Sequence, residues 1–393
     1  MKIENKHKWI AGLLIGLGAV LILVSVITFY LVLNKPAGES AIENIGSPSQ
    51  VDPVCRVTFA AVGDNLIHDT VYKRAATADG YDFRRYYNGT KDEIAKADVA
   101  YVNFETIAAG VEVGGLSGYP MFNGPTEIID AIYETGFDWI STASNHSLDR
   151  GEAGVRAELE YIKKFPDLVQ TGMAASQEEA DTPTVVDVNG VRIGLETFTY
   201  GLNGLVVPAG KDYMVNIIDD DLIRTKVEKL NAVSDVQIVS MHWGVEYATY
   251  QNAEQERLAK LLADLGVDVV VGEHPHVIQP VEWVDGLNGQ KTLVIYSLGN
   301  YLSSQDEPMR MLGLMAKWQV DFNTEDKSVS VSEIELWPTV TFITKGFGDF
   351  NTMFLKDYTN EIALQHTLPG ATRAYYLQQS KEILGDEFKV VIE

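Results

Sequence analysis

The stretch Val267-Asp268-Val269-Val270-Val271-Gly272-Glu273-His274-Pro275-His276 runs from an apolar segment into a pair of histidines. Residues 267–271 are short, β-branched and bounded by Gly272, which predicts a buried strand ending in a polar turn. Residues 57–62, 99–104, 139–143 and 236–241 have the same form. Between these runs, residues 126–135, 154–164, 222–231 and 254–265 carry helical spacing, so the order is α/β. Asn189-Gly190 joins 185–188 to 191–197 as a hairpin, and residues 314–322 and 329–337 flank a second turn at 323–327. The sheets are therefore expected to be mixed rather than purely parallel. From residue 350 onward the chain reads as helical, which predicts a main domain over 54–340 and a C-terminal helical extension over 341–393.

With 393 residues, 46% apolar and 22% charged, the composition excludes a disordered or disulfide-stapled chain. Cys55 is the single cysteine, so metal ligands must come from His, Asp, Glu or Asn. The net charge is −24, and residues 1–53 hold as many Lys and Arg as acids, so the imbalance lies wholly in residues 54–393. That excludes electrostatic capture of nucleic acid. Residues 9–33 are 25 consecutive uncharged positions preceded by Lys2, Lys6 and Lys8. At about 1.5 Å per residue this run can span a bilayer core, whereas the apolar region of a cleaved signal peptide is usually about 7–15 residues. The expectation is a single-pass signal anchor in the cell membrane, with residues 1–8 cytoplasmic, 34–53 a flexible linker and the C-terminal domain extracellular.

Chemistry concentrates where the strands end. Asp64, Glu105, Asn145-His146, His242 and His274-x-His276 each follow an apolar run. Ligand crevices of α/β sheets open at such ends. Each piece has a plainer reading: Asp64 as a turn cap, His242 as a half-buried histidine, His274-Pro275-His276 as a turn. Their conjunction at five strand ends, mixing carboxylate, amide and imidazole, instead predicts a site for Zn, Mn or Fe. His68 and His366 read as surface or packing histidines.

Gly63-Asp64, Asn103-Phe104-Glu105-Thr106, Ser144-Asn145-His146-Ser147-Leu148-Asp149, His242-Trp243-Gly244-Val245-Glu246-Tyr247, Gly272-Glu273-His274-Pro275-His276 and Tyr296-Ser297-Leu298-Gly299-Asn300-Tyr301 occur in the order and spacing of the CapA family. The chain resembles these poly-γ-glutamate capsule synthesis proteins over residues 56–304, and more loosely to its end. The resemblance implies a calcineurin-like metallophosphoesterase-type α/β/β/α sandwich with mixed sheets, after one N-terminal transmembrane helix. It also implies two divalent metal ions: Asp64, Glu105 and His276 on the first, and Glu105, Asn145, His242 and His274 on the second, with Glu105 bridging. His146 would face the substrate as an acid rather than bind metal. Leu66 stands where such phosphoesterases usually place a histidine, and Glu105 replaces their usual aspartate. His68 or Glu273 would be the nearest replacements for the missing ligand.

The implied function is membrane-anchored synthesis, export or remodelling of poly-γ-glutamate or a related anionic surface polymer, with membrane synthase subunits as partners. Two alternatives stand beside it: a metal-dependent phosphoesterase or amide hydrolase on the cell surface, and a non-catalytic scaffold of a polymer synthase. Family membership alone does not establish turnover.

Overall fold

A computed structural model describes residues 53–393, and Pro53–Glu393 is one compact unit. The expected cytoplasmic tail, membrane anchor and all but the last residue of the linker lie outside the described residues. Among the described residues, no helix is long and apolar enough to cross a membrane.

The first sheet begins with β1 (Val54–Asn65), β2 (Val99–Asn103), β3 (Trp139–Ser141) and β4 (Val169–Thr171), which are mutually parallel. The second contains β5 (Thr184–Val188), β6 (Val191–Thr199), β7 (Val236–His242), β8 (Val269–Glu273), β9 (Val281–Asp285) and β10 (Lys291–Ile295). Its order is β5-β6-β7-β8-β10-β9, with antiparallel strands at both edges of a parallel centre. The chain then returns to the first sheet through β11 (Asn300–Leu302), β12 (Leu312–Asn323), β13 (Val329–Ile343), β14 (Phe350–Phe354) and β15 (Lys389–Val390). β12 and β13 pair antiparallel, and β12 pairs antiparallel with β1. Both sheets are thus mixed, as expected. β1 runs beyond residues 57–62 because β12 pairs it from Val54 to Val62 and parallel β2 supports its C-terminal half. Phe59 and Trp318 face each other in that register and stack at 5.1 Å.

The sheets share one core. Ala61 and Tyr101 of the first sheet pack in the same cluster as Ile193, Ile238, Val269 and Leu293 of the second. The Tyr101 hydroxyl pins the layers together, lying 2.9 Å from Ser141 Oγ and 2.7 Å from Ser240 Oγ. Helices α1 (Asp69–Ala75) and α2 (Glu127–Thr135) contribute Val71, Ile128 and Ile132 to that core. Helix α3 (Gly151–Ile162) packs Val155 and Leu159 with Ile107, Ala143 and Leu148, beneath the loops that follow β2 and β3. Helices α4 (Asp220–Asn231) and α5 (Ala253–Asp264) bury Ile223, Val227, Leu258 and Leu262 against Val239, Met241 and Val270. Asp219 caps α4, and Asn252 with Gln255 forms a capping box on α5.

The tail corrects one expectation. Residues 341–393 are not a helical extension: they finish β13, add β14 and β15 to the first sheet, and hold one longer helix, α6 (Arg373–Leu384). Phe350, Met353 and Phe354 are buried there, so apolar burial on the sheet decides the conformation of 350–354.

Candidate metal centre

Two glycines explain why the strand ends converge. A Cβ on Gly63 would lie 1.8 Å from the Gly299 carbonyl oxygen, and one on Gly272 would lie 2.0 Å from that of Tyr296. Only a bare backbone permits both approaches. They bring Asp64, whose N–H donates to Gly299 O at 2.9 Å, beside Asn300 and the His274–His276 turn. That turn is strained: His274 and His276 hold φ of 94° and 59°, in the left-handed region that non-glycine residues avoid. The loop after β3 is tied by Ser147 Oγ, which accepts from Ser144 N–H at 2.8 Å and donates to Thr142 O at 2.6 Å. Ser144 Oγ donates to the Glu105 carbonyl at 2.6 Å, joining the loops of β2 and β3.

The fold gathers Asp64, Glu105, Asn145, His242, His274 and His276 into one buried cluster. His276 Nδ1 donates to Asp64 Oδ2 at 3.0 Å and Asn300 Oδ1 at 3.1 Å, and its Nε2 lies 3.5 Å from Glu105 Oε1. His242 Nε2 lies 3.9 Å from the same Glu105 oxygen and 3.0 Å from Asn145 Oδ1. Asn103 Nδ2 donates to Asp64 Oδ1 at 2.7 Å. Donor atoms of Asp64, Glu105 and His276 lie within 4.8 Å of one another, as do those of Glu105, His242 and His274. Glu105 belongs to both groups.

Charge in this cluster is unbalanced. Burial pushes the Glu105 carboxyl well above the carboxylate range, with Asp64 and Glu246 adding to the rise. Burial opposes protonation of His276, yet the charges of Glu105 and Asp64 and the Asp64 hydrogen bond prevail and raise it to about 9. Burial also opposes the charged form of Asp64, but His276 and Asn103 outweigh it and hold that carboxyl below its usual value. Burial, reinforced by His276, depresses His274 to about 3. Both Glu105 oxygens and His274 Nδ1 are buried without a hydrogen-bond partner. Such orphaned donors at the junction of two ligand groups fit a divalent cation, and carboxylate with imidazole and amide suits Zn, Mn or Fe.

His146 stands apart from both groups. Its Nδ1 donates to Asp149 Oδ2 at 2.8 Å, and its ring meets Phe122 edge-on at 4.6 Å. Leu66 is buried and supplies no ligand. Among the described residues His68 belongs to neither donor group, and its Nδ1 lies 3.2 Å from Leu66 O and 3.3 Å from Ser304 N. Glu273 is buried with both carboxyl oxygens unpaired, and burial followed by the charge of Asp64 keeps its pKa well above the carboxylate range. His366 is a packing residue whose Nε2 donates to Thr341 O at 3.1 Å.

Several contributors escaped the sequence reading. Asp149 orients His146, Asn300 orients His276, and Glu246 groups with His274 and His276. The i, i+3 spacing of His146 and Asp149 within one turn was the available signal for the first. Asn300 lies in the block 296–301 quoted above, but its role depends on β11 pairing beside β1.

Two facing mixed sheets with a buried carboxylate–imidazole–amide cluster at their strand ends define an α/β protein with a candidate divalent-metal centre. The chain belongs to the bacterial capsule synthesis protein PGA_cap family, whose model matches residues 58–305. The PGA biosynthesis protein CapA of Bacillus subtilis (strain 168) is 32% identical over 181 residues, 46% of either chain. The capsule biosynthesis protein CapA of Bacillus anthracis is 28% identical over 183 residues, 46% of this chain and 43% of its own. Each match therefore spans less than half of the relative's length. Among solved structures, a phosphatase from Mycoplasma pneumoniae is similar over 72% of this chain and 94% of its own, with a TM-score of 0.43 at 12% identity. A putative 5'-nucleotidase from Staphylococcus aureus is similar over 83% of this chain and 58% of its own, with a TM-score of 0.45 at 13% identity. Likenesses of that depth say nothing about activity.

Proposed function

We propose that this capsule-synthesis family member is a membrane-anchored, extracellular protein. Its metal centre acts on poly-γ-glutamate or a related anionic surface polymer during synthesis, export or remodelling, alongside membrane synthase subunits. The observation that carries the reading is Glu105: a fully buried carboxylate whose oxygens lack a hydrogen-bond partner, with Oε1 3.9 Å from His242 and 3.5 Å from His276. Asp64, Glu105 and His276 would hold one cation, and Glu105, Asn145, His242 and His274 a second. Bound there, divalent cations would supply a water of lowered pKa and a clamp for the oxygens of an acyl or phosphoryl centre.

The chain's own residues supply the rest. With Nδ1–H donated to Asp149, His146 presents Nε2 as the atom that gives or takes a proton. The Asp149 carboxylate fixes that tautomer and the orientation of the ring. This pair supports turnover rather than a purely organising role.

Metal analysis of the purified full-length chain, with polymer measured on cells carrying His274→Ala with His276→Ala, tests the reading. The expected result is stoichiometric divalent metal in the wild type, and loss of both metal and surface polymer in the variant. A metal-free wild type, or unchanged polymer, overturns it.

A further inference from the structure

We propose that Arg310, held against the Tyr247 ring at the edge of the metal centre, grips an oxyanion of the substrate that is distinct from the group undergoing reaction. The inference rests on the functional reading above and adds the means by which an anionic substrate is selected.

The Arg310 guanidinium carbon lies 3.7 Å from the centroid of the Tyr247 ring, within cation–π distance. That ring is 6.0 Å from the ring of His276, so the cation is built onto the wall of the cluster. Both residues are fixed by backbone ties to the site itself. Tyr247, at a φ of 68°, donates its N–H to the Pro275 carbonyl at 2.7 Å, between the two ligand histidines. The Arg310 carbonyl accepts from Asn300 Nδ2 at 2.8 Å, and Asn300 Oδ1 accepts from His276 Nδ1 at 3.1 Å. A fixed backbone and a stacked face leave the guanidinium edge, now met by two exposed carboxylates, as the part that can turn to a ligand.

Its present partners are weak. Arg310 Nη1 lies 3.2 Å from Asp306 and Nη2 lies 3.8 Å from Glu307, whose side chains are 81% and 63% exposed. The Arg310 side chain is itself 22% exposed, but both carboxylates are solvated, so a ligand carboxylate can take their place. A guanidinium, by contrast, matches a carboxylate or phosphate with two parallel hydrogen bonds. In a chain of net charge −24, an arginine fixed beside the metal ligands offsets the repulsion that an anionic substrate would otherwise meet.

Equilibrium binding to the metal-loaded full-length chain tests the assignment. The probes are a γ-linked glutamate tetramer, the same tetramer with its side-chain carboxylates amidated, and glycerol phosphate. The wild type should prefer the carboxylated tetramer, and Arg310→Gln should weaken its binding by about 10- to 100-fold, to the level of the amidated form. Metal content should not change. Arg310→Lys, which keeps charge without the planar fork, should restore part of the preference, and Tyr247→Leu should lose part of it. If Arg310→Gln retains the full preference, the assignment is wrong and the functional reading stands. If the wild type binds glycerol phosphate through Arg310 but neither tetramer, the oxyanion grip stands and the polymer reading falls. Binding of none of the three overturns both.

Discussion

His276 Nδ1 and Asp64 Oδ2 are 3.0 Å apart although 212 positions separate them in the chain, and the pair locks the loop after β8 to the end of β1. Without metal it is an ion pair in the core. His276, raised to about 9, stabilises the fold fully below its ordinary value of 6.5, and that contribution disappears as pH rises toward 9. In chelator, urea denaturation should therefore show stability falling by on the order of 2 kcal/mol across that window, and Asp64→Asn should flatten the fall. Metal affinity should rise over the same range, because the proton on His276 competes with the cation. Stability that is level from pH 6.5 to 9 in chelator would refute the pairing.

Glu158 provides a second pH-dependent term that needs no metal. Its Oε2 accepts from Ala108 N–H at 2.6 Å and anchors the Glu105 loop from the side of α3. Burial raises its carboxyl to about 8, so its contribution is present below about 4.5, the ordinary value, and is lost as pH rises to 8. Glu158→Gln keeps the acceptor and removes the ionisation. The variant should be more stable than wild type at pH 8 by on the order of 2–4 kcal/mol, with the two converging near pH 5 in chemical denaturation.

Gly63 tests how the strand ends are brought together. Gly63→Ala forces a methyl group to within 1.8 Å of the Gly299 carbonyl, a backbone atom that cannot rotate away. The expected loss is about 3 kcal/mol or more in urea denaturation, with metal binding weakened in whatever protein folds. Gly114→Ala is the control for space: a Cβ there would meet nothing among the described residues within 4 Å, although its φ of 74° still costs a little.

Much of this was legible from the chain. Short β-branched runs with chemistry at their ends were enough to locate β1, β2, β3, β7 and β8 and the six residues that cluster, because burial on both faces leaves an uninterrupted apolar signal. Asn189-Gly190 placed the β5–β6 hairpin, and both residues take positive φ, 55° and 80°. What escaped depends on tertiary context. The strand 350–354 carries no uninterrupted apolar run, and its pairing is with β13 and, through Met353, with Gly89, partners that only the folded chain supplies. Positive φ at His274 and His276 has no sequence mark, because the surrounding loops impose it. Glu158 sits in a helix like any surface glutamate until Ala108 is seen to donate to it.

His146 is predicted to act in chemistry and not in metal retention, since its Nδ1 is committed to Asp149 while Asn145 beside it reaches His242. His146→Ala should keep metal content and lower any hydrolytic rate by about 10²–10⁴. Asp149→Asn should also lower the rate while leaving metal bound, because an amide can favour the wrong tautomer. Loss of metal together with rate in either variant would contradict this division of roles.

The two proposed metal positions should differ in affinity, because they differ in the number of protein donors. Leu66 is buried and offers no donor, and among the described residues neither His68 nor Glu273 groups with Asp64, Glu105 and His276. Asp64, Glu105 and His276 are then the protein donors of the first position. The second has Glu105, His242 and His274 with the Asn145 amide 3.0 Å from His242. Fewer protein donors leave more coordination sites to water and weaken binding. Asp64 is also already engaged by Asn103 at 2.7 Å and His276 at 3.0 Å, contacts that orient it but that a cation must share. Titration of the metal-free full-length chain should reveal one tight and one weak class. Asp64→Ala should remove only the weak class, and His242→Ala the tight one. Equal affinities, or loss of the tight class on changing Asp64, would mean that the donors are divided differently, with Glu246 the first candidate for the exchange because it already groups with His274 and His276.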